Sequence, residues 1–440
     1  MHRLLQKCLK FNIKLDLNFE GGELTSDAGL LLYREFDDKL GFSQCIKENF
    51  HIQGDDYYRV HHSEEIILQK VYQSLAGYFT DDCADALANE PLFNQILAKD
   101  RLASQPTLSR LNSRLTADTV TQLENICDIL QERILAYERP EHMILDLDST
   151  HFNTYGNQEK TDFNYHYLST GYHPLLMFDG LTGDLLKAEL RAGNVYTSKD
   201  VVPFIQPFLN KYDKHHPEID MYVRGDSGFA VPGLYDVLEE MDYKYAIRLK
   251  YNKNLGRLVS KLDEEFLLSC KEDMISYKVM YAEIEYQAGS WSKARKVAVK
   301  IEKQAGELVP MHTFIVSNMG SSPREIVKFY CNRGTMENFI KEGKNSFEFD
   351  KMSSPNFVVN SNKLQISMLA YNFNNWFRRL CVAKDVRSFR METIRSKIIK
   401  VAARVVHHAR RITFKLCSSY PYKDLFCAIM DQMDRLPLLE

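Results

Sequence analysis

Two aspartates are separated by one residue in His142-Met-Ile-Leu-Asp-Leu-Asp-Ser-Thr150. On a strand, that spacing puts the carboxylates of Asp146 and Asp148 on one face and leucines on the other. A third aspartate, Asp226, directly follows the strand-like Met221-Tyr-Val-Arg-Gly225 and opens Asp226-Ser-Gly-Phe229. A carboxylate there lies where open α/β sheets bind ligands, although turns and caps use aspartate in the same way. Further on, Tyr330, Arg333, Glu337 and Lys344 sit at offsets of 3, 7 and 14 residues. At roughly 100° per residue they share an arc of roughly 60° on a helix. Gly334 and Gly343 weaken that helix, and a surface helix with ion pairs would show a similar stripe. Carboxylates from distant segments are the oxygen ligands that hard divalent cations require. Arginine and lysine beside them suit phosphate.

The elements that must position these groups form a recognisable order. Residues from about Leu24 to Glu138 have helical periodicity, and Leu102–Leu115 reads as a turn feeding a helix compatible with DNA reading. After a linker at Glu138–His142 come the Asp146 strand and a hairpin, Tyr172–Asp179 with Leu185–Arg191. A helix over Ser198–Lys211, a strand over Met221–Gly225, a helix over Val231–Met241 and a strand over Tyr243–Leu249 complete the run. Three meander strands followed by αβαβ is the order of the RNase H-like fold. The alternating runs Tyr277–Tyr286, Lys296–Ile301 and His312–Ser317 read as a β-rich insertion. Helical periodicity then resumes near Ser322.

Taken together, Tyr-(2)-Arg-(3)-Glu-(6)-Lys at Tyr330, Arg333, Glu337 and Lys344, Leu145-Asp-Leu-Asp-Ser-Thr150 and Val223-Arg-Gly-Asp-Ser-Gly-Phe229 resemble the three catalytic blocks of bacterial insertion-sequence DDE transposases. The resemblance covers about residues 20 to 380. It implies a mixed α/β chain with an RNase H-like core and a metal-binding triad of Asp148, Asp226 and Glu337. Asp148 is preferred to Asp146 because the family's first aspartate precedes a small residue and then threonine, as in Asp148-Ser149-Thr150. It further implies two Mg²⁺ ions, with Mn²⁺ as a substitute, serving the attacking and leaving oxygens of DNA strand cleavage and transfer. Tyr330, Arg333 and Lys344 would hold the cut strand's phosphates. In relatives an aromatic residue of the insertion holds a flipped base, which makes Trp291 the candidate here, against a role packing its hairpin on the core. Double-stranded DNA as partner, a dimer in the synaptic complex, and a bacterial cytoplasmic, nucleoid-associated location complete the expectation. The rival readings are a transposase-derived DNA-binding protein without catalysis and a structure-specific nuclease of the same fold.

The implied organisation is a helical DNA-binding region over 1–137, core over 138–249, insertion over 250–320, core again over 321–385 and a basic helical tail over 386–440. The formal net charge of −3 hides the tail's character. Twelve Lys/Arg against Asp385 and Glu392 lie between Tyr371 and Tyr420, an excess of ten that can neutralise phosphates. Arg404, Arg410 and Arg411 are its DNA-contact candidates. No membrane-length apolar run occurs, and Met1–Leu15 lacks the apolar core of a secretory signal. Nine scattered cysteines without a CxxC pair indicate neither a zinc site nor a thioredoxin-like site, and read as reduced thiols.

Overall fold

The computed structural model describes residues 7–54, 59–270, 275–307 and 309–437. The first six residues of the Met1–Leu15 stretch lie outside them. Two compact units emerge: 1–137 with 345–348 and 365–440, and 138–344 with 349–364.

The second unit is built on an eight-stranded mixed sheet. Across it the order is Lys278–Tyr286, Arg295–Lys303, Met311–Ser317, Lys244–Leu249, Asp220–Gly225, His142–Ser149, Leu175–Asp179 and Leu185–Glu189. His142–Ser149 runs parallel to Asp220–Gly225, which runs parallel to Lys244–Leu249; the remaining pairs are antiparallel. Met143 to Leu147 are all buried, the continuous pattern of a strand covered on both faces. Parallel neighbours need a crossover, and the helices Val201–His215 and Pro232–Glu240 supply it. The meander followed by crossover strands is the expected RNase H-like order.

The insertion does not stand apart from this core. Met311–Ser317 pairs antiparallel with Lys244–Leu249, so three strands extend the same sheet. A helix, Lys253–Cys270, precedes them in the stretch expected to be a β-rich insertion. Its buried Leu255, Val259, Phe266 and Cys270 recur at intervals of 4, 7 and 4, the spacing of one helical face.

The first unit contains the helices Leu30–Leu40, Phe42–Asn49, Ser63–Ala76 and Ala117–Tyr137. Its core is aromatic: Tyr33 stacks on Phe377 with centroids 4.1 Å apart, and Phe42 on Phe373 at 4.2 Å. The basic segment departs from the helical expectation. Ala403–His408 and Arg411–Leu416 form an antiparallel hairpin, whose first strand also pairs with Leu24–Thr25. The β-branched Val405, Val406, Ile412 and Thr413 favour strand, a signal that the run of charges obscured. Helix returns at Lys423–Asp434. Among the described residues no helix is long and apolar enough to cross a membrane.

Candidate active site

Asp146 and Asp148 share a strand face but meet different surroundings. Both oxygens of Asp146 accept hydrogen bonds from Arg224, Nε to Oδ1 and Nη2 to Oδ2, each 2.6 Å, with Asp146 fully buried. The third Arg224 nitrogen donates to the Phe329 carbonyl at 2.8 Å. Gly180 makes room for this pair, since a Cβ there would lie 2.4 Å from Arg224 Nη2 and 2.5 Å from Asp146 Oδ2. Asp146 is thereby committed to structure.

Asp148 lines an open cleft of about 1020 Å³ together with Asp226 and Glu337. Its Oδ1 accepts from the Ser149 amide at 2.9 Å and lies 3.2 Å from Arg333 Nη2. Burial pushes its carboxyl up from the ordinary 3.8 to about 6; Arg333 opposes the shift and the like charge of Asp226 adds to it. Asp226 ends its strand as the cap of a short turn, Ser227–Phe229, and accepts from the Gly228 amide at 2.8 Å. The cap role and a place in the cleft thus coexist in one side chain.

The Tyr330–Lys344 stripe is interrupted. One helix runs Pro323–Cys331, opened by a capping box between Ser322 and Glu325, and a second runs Gly334–Phe347. The break falls at Asn332–Arg333, before Gly334, whereas Gly343 sits inside the second helix against the Phe349 ring. Arg333 Nη2 donates to the Leu147 carbonyl at 2.7 Å, which fixes the guanidinium beside Asp148. Burial lowers its pKa, yet Asp148, Tyr330, Asp226 and Asp146 together leave it raised. Lys344 Nζ donates to Thr150 Oγ1 at 2.7 Å and the His151 carbonyl at 2.8 Å, at the end of the Asp148 strand. Tyr330 is half-buried against the cluster of Ala246, Ile315 and Ile326 and does not line the cleft.

Glu337 lines the cleft, but its side chain is 69% exposed and its Oε2 lies 3.7 Å from Lys341. Among the described residues no three His, Cys, Asp or Glu side chains gather closely enough to hold a metal ion. Asp148 and Asp226 are drawn together; Glu337 is within the same cleft without joining them.

Trp291 is a correction. It is only 6% exposed and packs edge-to-face on Tyr235 and Tyr286, with centroids 5.4 and 5.3 Å away. The Arg295 guanidinium lies 5.4 Å over its ring, and Arg295 itself is fixed by Glu239 and Asp236. Its small polar neighbours in sequence suggested an exposed loop tip, whereas tyrosines from two other elements cover the ring. Arg404, Arg410 and Arg411, the candidates for DNA contact, are exposed.

Several cleft residues escaped the sequence analysis. Thr197, Tyr167, His173, Arg248 and Lys250 line it, and none stands in a motif. Arg191, the last residue of the predicted hairpin, is buried and donates to the carbonyls of His173, Thr197 and Lys199.

Comparison with known proteins gives this geometry a family. The family model described as transposase DDE domain group 1 matches residues 7–438. No curated protein matches the chain. Among solved structures, a piggyBac transposase synaptic complex with hairpin DNA is similar at 12% identity, covering 94% of this chain and 86% of that one, with a TM-score of 0.43. A Mos1 transposase paired-end complex with the left transposon end is 13% identical, covering 44% of this chain and 61% of that one, with a TM-score of 0.18. The match of the family model over nearly the whole length shows that this chain belongs to the DDE transposases.

Proposed function

We propose that this chain is an active transposase that cuts DNA at the ends of an insertion sequence and joins them to target DNA. The observation that carries this reading is the sorting of the carboxylates: Arg224 takes Asp146 into the structure, while Asp148 and Asp226 face one cleft that Glu337 also lines. A buried carboxyl raised in pKa partly by a second carboxylate is a donor set that a divalent cation would relieve. Asp148 and Asp226 would hold Mg²⁺, or Mn²⁺ in its place, with Glu337 completing the set. Bound there, the metal supplies charge neutralisation and an activated oxygen for in-line attack on phosphorus. Arg333 keeps Asp148 oriented, and Lys344, held by Thr150 and the His151 carbonyl, lines the same cleft with an ammonium that would meet a phosphate oxygen.

The hairpin in the other unit suits DNA backbone. Arg404 lies directly across from Lys415 and Arg411 across from His408, on one face of the two strands. Like charges directly opposite, as at Arg404 and Lys415, destabilise a sheet, so an anion at this face would relieve them. None of Arg404, Arg410, Arg411 and Lys415 forms an ion pair among the described residues.

The test is cleavage of labelled DNA carrying the inverted repeats that flank the gene, with Mg²⁺ and then with EDTA. We expect a metal-dependent cut, 3′-OH joining to a second duplex, and loss of both in Asp148→Asn and Asp226→Asn. Specific binding without cutting would establish the non-catalytic DNA-binding reading instead. Cutting without joining would establish the nuclease.

A further inference from the structure

Five exposed aromatic side chains, Phe163, Tyr165, Tyr167, Tyr196 and Tyr251, line the cleft that holds Asp148 and Asp226. Phe11, Phe19, Tyr155 and Tyr277 are the other exposed rings among the described residues, so exposure of aromatic rings concentrates at this place. Single exposed rings need no explanation, but a convergence of them in one concavity does.

Their backbone supports are fixed. Strands Phe152–Asn153, Ser169–Tyr172 and Asp162–Asn164 form a small three-stranded sheet. Asn164 Oδ1 accepts from the His166 amide at 3.0 Å and shapes the turn that carries Tyr165. Tyr167 turns inward and stacks on His151 with centroids 5.1 Å apart, while Tyr165 stays 85% exposed. Tyr196 sits in a loop held at both flanks, where His173 Nδ1 meets the Val195 carbonyl at 2.7 Å and Arg191 donates to that of Thr197 at 3.2 Å. It is 69% exposed. A backbone held in this way needs little further ordering to bind, so that chiefly the rings' own rotamers have to be fixed.

The same cleft carries Arg248, Lys250, Lys341 and Lys344. Rings interleaved with cations beside metal-binding carboxylates match a chain that alternates flat bases with phosphates. Paired bases within a duplex are already stacked on one another, so only unpaired nucleotides present free faces to such rings. An apolar peptide would instead seek an apolar surround.

We propose that Phe163, Tyr165 and Tyr196 form a stacking platform for unpaired nucleotides of the strand engaged at Asp148 and Asp226. The inference rests on the transposase reading above and adds to it that the strand is opened next to the cut.

The test uses the full-length chain in EDTA with two probes, a single-stranded oligonucleotide carrying 2-aminopurine and a fully paired duplex of the same sequence. The wild type should change the 2-aminopurine fluorescence of the single strand on binding. Tyr165→Ala with Tyr196→Ala should lose that signal and weaken single-strand binding by about 5- to 150-fold, leaving duplex affinity unchanged. Tyr165→Phe with Tyr196→Phe should restore both, since stacking needs the ring and not the hydroxyl. A signal that survives in the alanine pair overturns the proposal, as does a parallel fall in duplex affinity. Metal-dependent cutting by the wild type separates the two readings. Cutting without the fluorescence change removes the platform alone, and the change without cutting removes the catalytic reading alone.

Discussion

Arg224 closes on both oxygens of Asp146 at 2.6 Å, with side-chain exposures of 2% and 0%. The pair ties together two adjacent parallel strands, since Arg224 stands in register with Asp146. Breaking a buried pair leaves an uncompensated charge, so Asp146→Ala should cost about 3–5 kcal/mol of stability. Asp148→Asn, two residues on along the strand, should cost none. Urea denaturation of the two variants checks this. Equal losses would mean that the two aspartates had not been divided between structure and site.

The raised carboxyl of Asp148 gives stability a pH dependence of definite sign. Its folded pKa of about 6 exceeds the ordinary 3.8, so the folded state holds the proton more tightly. The resulting stabilisation is complete below about pH 4 and disappears as pH rises through about 6. For a mostly buried group beside a compensating arginine, the difference should be about 1–3 kcal/mol. Denaturation in EDTA across pH 4–7.5 should show this component in the wild type and not in Asp148→Asn. In the wild type Mg²⁺ affinity should fall below about pH 6, where the proton competes for the same oxygens.

On the Ala403–Leu416 hairpin, the cations are expected to matter for DNA and not for folding. Arg404→Ala with Arg411→Ala and Lys415→Ala should weaken random and specific duplexes alike, and the salt slope should fall by about 0.9 for every phosphate that is no longer neutralised. Without DNA the triple variant should melt no lower than the wild type, since Arg404 faces Lys415 directly. An unchanged salt slope would make this face merely solvated.

What the sequence disclosed, and what it withheld, follows from the range of the forces involved. The strand of Met143–Leu147 and the Asp226 turn are local, written in burial pattern and in the glycine that follows, and both were readable. The residues that follow each aspartate gave a preference for Asp148 over Asp146, but what ties Asp146 into the structure is Arg224, 78 residues away. The break at Asn332–Arg333 follows from the two hydrogen-bonded helices ending and beginning there, while glycine content pointed equally to Gly334 and Gly343. The hairpin at Ala403–Leu416 is masked in the sequence because its β-branched residues are interleaved with charges. Cleft residues such as Thr197 and His173 arrive through tertiary folding and have no local signature.

Trp291 illustrates the same limit and carries its own prediction. Its cover comes from Tyr235 and Tyr286, which lie 56 and 5 residues away in sequence. Removing a packed indole costs about 3–5 kcal/mol. Trp291→Ala should therefore lower thermal stability, and DNA binding, nicking and joining should all decline in step with the folded fraction. A selective loss of one DNA step at undiminished stability would restore a direct role for the ring.

Glu337 is the sharpest test of how the site is completed. Its carboxylate is mostly exposed and leans toward Lys341, one helical turn on, with an N–O distance of 3.7 Å. Exposed pairs of this kind are worth less than about 1 kcal/mol, so the contact does not hold Glu337 away from the other carboxylates. Asp148 and Asp226, already close enough to perturb each other, should set the affinity for metal in the free protein. Glu337→Gln should thus leave Mn²⁺ binding to the DNA-free chain nearly unchanged, while Asp148→Asn and Asp226→Asn weaken it. With DNA present the order should differ: Glu337→Gln should slow nicking by on the order of 10²–10³-fold, comparable to loss of a group that stabilises developing charge. Lys341→Ala, which frees the glutamate, should not slow nicking through Glu337. Calorimetry of Mn²⁺ binding and single-turnover nicking separate the two effects. If Glu337→Gln weakens metal binding in free protein as much as Asp148→Asn does, the three carboxylates act as a preformed cluster and the glutamate needs no DNA to join them.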